Sequence, residues 1–438
     1  MEWWHFIILF IGSLILIMSI GVPIAVAFLL VNFAAAIIIF NVTRGSSFLL
    51  NSMFDSVSKF SLAPVPLFIL MGALLFSTGV ITNALDAISK WIGRVPGRLS
   101  LLSLGGGALF SNLSGSAVAN TAVLGSMLVP EMRKQGYSKA MTYGPIMGAA
   151  GLAIVIPPSA IAIMLGSIGQ IPVGPLLIAG MVPGLIMAGL YVVYVVFRCY
   201  RNPSLAPVYE TQTYTLSDKI YSSIKYILPL IALIVIVLSI IFMGVATPTE
   251  ASAVGALGAL ILAMMYRRLN IRNLTSALHS TLKTTGMVML IIASAAAFSQ
   301  LLAITGATRG LTSLVANSPW APMAIILLMI LIVFILGMFL EQIAIMMLVL
   351  PIFVPIVSIL GFDLVWFGIV MLVTMEIGTF SPPFGMILFV MRSVTPKDVS
   401  MMDIYKSAFP FILIDAFVVF LLLIFPTLAT WLPSLMYR

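Results

Sequence analysis

The sequence is poor in the residues that most often carry chemistry or face water: one cysteine, two histidines, and 8% Asp, Glu, Lys and Arg together over 438 residues. A single thiol, Cys199, excludes an intrachain disulfide and a cysteine-rich metal site. His5 and His279 are isolated, which leaves little for a histidine-based catalytic or metal centre. The start, MEWWHFIILFIGSLILIM, lacks both the basic head and the small-residue cleavage site of an export signal. It is predicted as an uncleaved first span with Trp3 and Trp4 at the interface.

What is plentiful is apolar. Hydrophobic residues make up 62% of the chain, in runs that reach or exceed the roughly 20 residues a helix needs to cross a bilayer. Runs such as PLFILMGALL and IALIVIVLSIIFM are continuous, without the alternation of a barrel strand. The fold class is therefore an all-α polytopic membrane protein. The formal charge of +8 comes from Lys and Arg that mostly fall between apolar runs. They report orientation under the positive-inside rule, and no nucleic-acid partner is expected.

Ten crossings are predicted, near residues 5–20, 23–40, 62–82, 140–170, 173–197, 226–245, 250–266, 285–305, 364–391 and 408–432. Two further stretches, 99–130 and 319–355, are too long for one span and are interrupted by SNLSGS and GMFLEQ. Arms of about 12 to 15 residues rise about 18 to 22 Å, enough to approach the midplane and return, so re-entrant helical hairpins are predicted.

Pro23, Pro130, Pro157 and Pro158 recur 225 positions later as Pro248, Pro355, Pro382 and Pro383. Gly79 and Pro183 recur 227 positions later as Gly306 and Pro410. This spacing predicts two repeats, 1–200 and 225–438, joined by a polar cytoplasmic linker at 201–224. Five crossings per repeat is an odd number, so the second repeat is inverted. Charge agrees: Lys90, Arg94, Arg98, Arg133, Lys134 and Lys139 flank the first hairpin, whereas Arg309 alone flanks the second. The first hairpin is expected to open to the cytoplasm and the second to the outside. Residues 46–61 and 271–283 are predicted as amphipathic arms along the membrane surface.

Four polar or proline-rich breaks fall at mid-depth: SNLSGS and GLAIVIPPS in the first repeat, GMFLEQ and EIGTFSPPFG in the second. Backbone that leaves the helix inside hydrocarbon must be met by protein, water or solute. A broken helix offers carbonyls at one end and free N–H groups at the next, suited to a cation and a carboxylate respectively. One sodium site is predicted between Ser111, Asn112, Ser114 and Ser116 and the unwound stretch containing Gly151, Ile154, Ile156 and Pro157. A second is predicted from Gly337, Glu341, Gln342, Glu376, Gly378, Thr379, Ser381 and Pro382. Ser116, Asn120, Pro158, Ser159, Glu341 and Pro383 are the expected solute contacts. Two or more Na⁺ ions are expected, with no organic cofactor. Glu341 and Glu376 are the main intramembrane carboxylates and need a cation, a proton or a buried donor there. Asp415, in the last span and away from the motifs, reads as helix packing.

The segments SNLSGSAVANTAVLGSMLVPEMRKQGYSKA, GLAIVIPPSAIAIMLGS, AGMVPGL and EIGTFSPPFG resemble the large membrane subunit, DctM type, of tripartite ATP-independent periplasmic (TRAP) transporters, over nearly the whole chain. The resemblance implies sodium-coupled uptake of a small organic acid across a bacterial inner membrane, of the C4-dicarboxylate, keto acid or sialic acid class. It implies an elevator mechanism within the ion transporter superfamily. It also implies two partners on separate chains, a small four-span subunit (DctQ type) and a periplasmic solute-binding protein (DctP type). One departure is Glu341, where the family commonly has Asp.

Two other functions compete. An intramembrane hydrolase with a SNLSGS serine as nucleophile needs a base within hydrogen-bond reach, and neither histidine nor any lysine is predicted at mid-depth. A channel could use the same carbonyls as a filter, but filters surround an axis between subunits, and these four breaks belong to one chain.

Overall fold

The computed structural model describes residues 2–93, 95–114, 117–208 and 214–436, with the backbone alone described at residues 19, 81 and 110–114. Among these residues every regular element is helical. The first half runs α1 (Trp3–Ser19), α2 (Ile24–Phe40), α3 (Val42–Val57), α4 (Pro64–Ser77), α5 (Val80–Ile92), α6 (Arg98–Ser114), α7 (Ala117–Lys134), α8 (Lys139–Val155), α9 (Ala160–Gly169), α10 (Val173–Ala179) and α11 (Met181–Arg201). The linker carries the short α12 (Leu216–Ser222). The second half runs α13 (Leu228–Phe242), α14 (Pro248–Met265), α15 (Ile271–Ile304), α16 (Ala307–Ala316), α17 (Pro322–Gly337), α18 (Gln342–Ile359), α19 (Leu364–Thr379), α20 (Met386–Val394) and α21 (Met401–Ile424).

The recurring prolines and glycines mark equivalent joints. Pro23 precedes α2 and Pro248 opens α14; proline suits a first turn, where its missing N–H would have no partner anyway. Gly79 and Gly306 precede α5 and α16 with φ of 67° and 75°, a left-handed turn that glycine makes without a Cβ clash. Side-chain caps start other helices: Thr247 with Glu250 and Ser400 with Asp403 form reciprocal capping boxes at α14 and α21.

By length and hydropathy seven described helices can cross a bilayer, and α8 with α9, bent by 42°, makes an eighth. Of the ten predicted crossings, six coincide with such helices and a seventh with the bent pair. α1, α2 and α19 are apolar but one or two residues short of the 18-residue window. The Gly21-Val22-Pro23 turn and the Asn41 turn, with φ of 76° at Asn41, cut the first two. α18 alone has 18 residues of mean hydropathy 2.4, span length by itself, so the arms around residues 338–341 are longer than the sequence implied. At 1.5 Å per residue they measure about 24 and 27 Å, against a hydrocarbon core of about 30 Å.

The two arm segments differ. Residues 42–57 form a separate helix, because Pro64 and Pro66 restart the chain at α4. The expected separate arm at 271–283 is instead the first turns of α15, which runs unbroken for 34 residues. No proline stands anywhere in it, and Gly286 is carried within the helix. α15 is about 51 Å long, longer than a bilayer core is thick.

The centre of the bundle is α8 and α19. Every residue of α8 from Met141 to Val155, and of α19 from Trp366 to Thr379, is buried. α6 and α7 pack on α8, α17 and α18 pack on α19, and the halves interlock where α7 meets α20 and α18 meets α9. Outer helices leave large apolar side chains exposed, such as Leu228, Ile231 and Val235 of α13, as lipid-facing surfaces do.

Two ion pairs join the halves at the foot of the first hairpin. Arg133 donates from both Nη atoms to Asp398, at 2.9 and 2.8 Å, and Lys139 reaches Asp403 at 2.8 Å. The Arg133 guanidinium holds the Asp398 carboxyl below its usual range, and Lys139 together with the Ser400 cap does the same for Asp403. A depressed carboxyl contributes stability above its unfolded pKa of about 3.9 and loses it as pH falls through the lower folded value. Between pH 5 and 8 these contacts are therefore pH-independent. They are exposed, so Asp398→Asn is expected to lower the melting temperature slightly in dilute buffer, with the difference closing near about 1 M salt, where screening acts within about 3 Å. A salt-independent difference would show that the pair acts otherwise.

Candidate functional site

α8 stops at Val155 because Pro157 and Pro158 cannot continue it. Ser159 then bridges the break: its hydroxyl donates to the Ile154 carbonyl at 2.7 Å and accepts from the Ala162 N–H at 3.2 Å, capping α9. α19 stops at Thr379, and α20 restarts after residues 380–385. Ser381 Oγ donates to the Ile377 carbonyl at 2.6 Å, and the Ser381 N–H donates to the Gly378 carbonyl at 3.1 Å. The Pro157–Pro158 and Pro382–Pro383 peptide bonds are both cis.

The second break presents oxygens. The Thr379 and Ser381 carbonyls converge on Gly385, where an added Cβ would come within 2.7 and 2.8 Å of them. The break is pressed against the second hairpin: a Cβ on Gly378 would lie 2.5 Å from Gly337 Cα. Two backbones meet here with no side chain between them. Thr379 Oγ1 donates to the Glu376 carbonyl at 2.8 Å and approaches Glu376 Oε2 at 3.5 Å, the same distance as Gln342 Nε2.

Glu376 is fully buried, and its Oε1 lies against Gly151 of α8, where a Cβ would overlap the carboxylate. Gly151, predicted from sequence in the first cation site, thus seats an acid of the second. Glu376 Oε1 has no hydrogen-bond partner. Asp415, one turn beyond Phe411 on α21, is equally buried; its Oδ1 accepts a 2.5 Å bond from Tyr191 Oη, and its Oδ2 has no partner.

A cavity of about 390 Å³ lies beside these breaks, within the size range of small-molecule sites. Four helices begin at its wall: α7 at Ala117, α9 at Ala160, α18 at Gln342 and α20 at Met386. Helix starts carry unpaired N–H groups and partial positive charge, so four of them favour an anion. Glu341 is the one charged side chain among the described lining residues, with no Lys, Arg or His beside it. α4, through Ile69, Gly72 and Phe76, and α15, through Ser280, Thr284 and Met287, also line it.

Of the predicted solute contacts, Asn120 and Glu341 line this cavity, joined by Gln342 and Thr379 from the predicted second cation site. Pro158 and Ser159 are buried within the first break and Pro383 is exposed; none of the three lines the cavity. The Pro383 carbonyl accepts from Tyr405 Oη at 2.8 Å instead. Ile154 offers a carbonyl already engaged by Ser159, and Ile156 packs on Gly184 of α11. Pro157 and Ser381 are buried, Pro382 is half-buried, and Gly337 and Gly378 form the hairpin contact. Ser116 lies outside the described residues, as do the side chains of Ser111, Asn112 and Ser114. Sequence reasoning missed Ser280 and Thr284; their spacing of four residues on one face of the amphipathic segment was the available signal.

An all-helical membrane bundle whose interrupted helices line one common cavity is the architecture of a membrane transporter. A solved structure of the YdaH transporter of Alcanivorax borkumensis shares the fold with a TM-score of 0.64, covering 88% of this chain and 89% of that one at 12% identity. The family described as "Tripartite ATP-independent periplasmic transporter, DctM component" matches residues 11–428, and the chain belongs to that family. It is 33% identical to the C4-dicarboxylate TRAP transporter large permease protein DctM of Pseudomonas aeruginosa, over 87% of this chain and 86% of the relative. It is 29% identical to the sialic acid TRAP transporter large permease protein SiaM of Vibrio cholerae, over 95% of each. These relatives are named as permeases, not as enzymes.

Proposed function

We propose that the chain carries a small organic acid into the cell across a bacterial inner membrane, driven by sodium. The observation that carries this reading is the meeting of four helix N-termini at one cavity. They supply positive potential for a carboxylate. Glu341 opposes it, and no basic side chain among the described lining residues offsets the difference. An anion and Glu341 together need cations nearby, and oxygens such as the Thr379 and Ser381 carbonyls are suited to Na⁺. The names of the relatives favour a C4-dicarboxylate or sialic acid class of solute; a keto acid fits the same chemistry.

The cavity wall suggests how transport proceeds. Its lining residues come from two groups of elements, hairpin tips and breaks in one group and α4 and α15 in the other. An elevator motion slides the first group, with its solute, along the second. The repeated order of helices supports two inverted repeats. α15 starts beside Arg267, Arg268 and Arg272 and runs its full length before α16 and α17 begin. That supports hairpins entering from opposite ends, with the base-rich end cytoplasmic. A DctQ-type small subunit and a periplasmic DctP-type binding protein complete the system, the latter delivering the acid.

Reconstituted vesicles test the reading. Uptake should follow an inward sodium gradient, and Thr379→Val, which keeps the Thr379 carbonyl but removes the hydroxyl of a residue that lines the cavity, should raise the sodium concentration for half-maximal uptake by about tenfold, the loss expected for one charge-assisted oxygen contact of about 1.4 kcal/mol. An unchanged sodium response removes the Thr379 hydroxyl, though not its carbonyl, from the cation site. Unsaturable passive current in place of accumulation would favour a channel.

A further inference from the structure

We infer that Lys225, Arg267 and Arg268 form a headgroup site for an anionic phospholipid, at the foot of α13 and the end of α14. The first observation is a strained turn. α14 ends with the Arg267 N–H donating to the Met264 carbonyl at 2.9 Å and the Arg268 N–H donating to the Ala263 carbonyl at 3.0 Å. Such a closure needs a left-handed residue just past the helix, and here that residue is Arg267, with φ of 52°. Glycine is the ordinary choice, because a Cβ is disfavoured in that conformation. Elsewhere among the described residues the chain uses glycine, Asn41 or Gln170 for a positive φ, none of them charged. Strain kept at an exposed arginine points to a use for its side chain.

Tyr266, the residue before it, reaches the foot of α13. Pro229 has no N–H to offer the Lys225 carbonyl four residues earlier, and Tyr266 Oη donates to that carbonyl instead. The Tyr266 ring lies 5.7 Å from the Tyr226 ring, and Lys225 Nζ stands 5.4 Å from the Tyr226 centroid and 3.3 Å from Tyr221 Oη. Lys225 is thus beside the turn that carries Arg267 and Arg268, and all three residues are exposed. None of them is in an ion pair: those among the described residues join Lys90 to Asp86, Arg133 to Asp398 and Lys139 to Asp403. Asp218, the acid nearest to Lys225 along the described chain, is engaged in the cap of α12, where it accepts from Thr215.

Three bases without an acid attract an anion, and arginine with lysine is a donor set suited to phosphate. Their surroundings decide for a lipid over a free ion. Leu228 and Ile231 of α13 and Ile261, Met264 and Met265 of α14 are exposed apolar side chains within two turns of the bases, on helices that pack together. Acyl chains therefore have an apolar bed beside a cationic rim, with Tyr226 and Tyr266 at the boundary, where aromatic side chains settle in membranes. A zwitterionic headgroup brings its own cation to the same place and gains less. The turn is also a joint: Asn273 Nδ2 donates to the Arg268 carbonyl at 2.9 Å, which fixes the start of α15. A lipid held here pins that joint to the membrane surface.

Native mass spectrometry tests the site on the purified chain, titrated in detergent with dioleoylphosphatidylglycerol, dioleoylphosphatidylcholine or inorganic phosphate. One phosphatidylglycerol should be retained in preference to phosphatidylcholine by about tenfold or more, since each base at an anionic lipid surface contributes about fivefold. Arg267→Gln combined with Arg268→Gln should weaken phosphatidylglycerol binding by about twenty-five-fold and leave phosphatidylcholine unchanged. Arg44→Gln combined with Lys59→Gln removes as much charge elsewhere and should change neither. Arg267→Gly separates the site from the fold: glycine suits the turn, so this variant should melt no lower than the wild type, yet bind phosphatidylglycerol about fivefold more weakly. Equal retention of the two lipids by the wild type, or undiminished phosphatidylglycerol binding by Arg267→Gly, overturns the site. Displacement of phosphatidylglycerol by inorganic phosphate would assign the bases to a free anion. A dimer of the chain in place of the lipid adduct, lost with the two arginines, would assign the face to protein. Either result overturns the lipid site.

Discussion

Gly378→Leu abolishes uptake in reconstituted vesicles, with a fall of about a hundredfold or more, and Gly378→Ala gives a smaller loss. The expectation follows from the contact between the second hairpin and α19. A Cβ on Gly378 would lie 2.5 Å from Gly337 Cα, 2.8 Å from the Gly337 carbonyl carbon and 3.1 Å from the Phe334 carbonyl oxygen. All three are backbone atoms, so no side-chain rotation relieves the clash, and α17 must move away from α19. Overpacking of this kind costs about 1 to 3 kcal/mol in stability, which the protein can survive. The functional loss is greater, because Thr379 and Glu376 lie within two residues of the displaced backbone, and misplacing a binding geometry by about 1 Å can cost about a hundredfold. Gly337→Leu should behave alike. Gly189→Ala is the control: nothing lies within 4 Å of its added carbon, and its uptake should match the wild type. Rates are compared at equal amounts of monodisperse protein. Wild-type uptake by Gly378→Leu would mean that this contact does not position the site.

The largest stability loss is expected for Trp366→Ala. Trp366 is 1% exposed, its ring stacks on Phe362 at 5.4 Å, and its indole N–H donates to the Leu422 carbonyl at 2.7 Å. It therefore ties α19, which carries the second break, to α21, which carries Asp415. Removing a buried aromatic side chain of this size costs about 3 to 5 kcal/mol, and the Leu422 carbonyl loses its indole partner. Trp366→Phe restores most of the volume but not the donor, and should lose about 1 to 3 kcal/mol. Melting in detergent, read by loss of monodisperse protein, should rank wild type above Phe and Phe above Ala. Since such unfolding is often irreversible, the variants are compared at one heating rate. Equal melting of wild type and Trp366→Ala would contradict the packing described.

The sequence located the breaks well for a simple reason. Pro157, Pro158, Pro382 and Pro383 interrupt a helix through their own covalent structure, whatever surrounds them. Glycine turns such as Gly79 and Gly306 are equally local. The helix starts at Ala117, Ala160, Gln342 and Met386 were legible as the far sides of those breaks. Their convergence on one cavity was not. The misplacement of Ser159 has the same origin: a serine beside a break can face solute or cap the next helix, and only the position of the Ile154 carbonyl decided for the cap. Asp415 reads as packing because no motif surrounds it in sequence; in the fold its hydrogen-bond partner is Tyr191, 224 residues earlier, which no local pattern could point to.

Composition and spacing alone determined that the chain is helical, lies in a membrane and repeats its order of joints, and the resemblance of its motif segments to DctM-type permeases was equally local, since each of these rests on run length or on residues near one another in the chain. Tertiary structure alone decided that Gly151 receives Glu376, that α4 and α15 close the cavity, and that the chain continues unbroken through residues 271–304. In a soluble protein an apolar stripe marks which face of a helix turns inward. Here most helices are apolar all round, so sequence carries little record of which face meets which, and close packing between helices makes that choice.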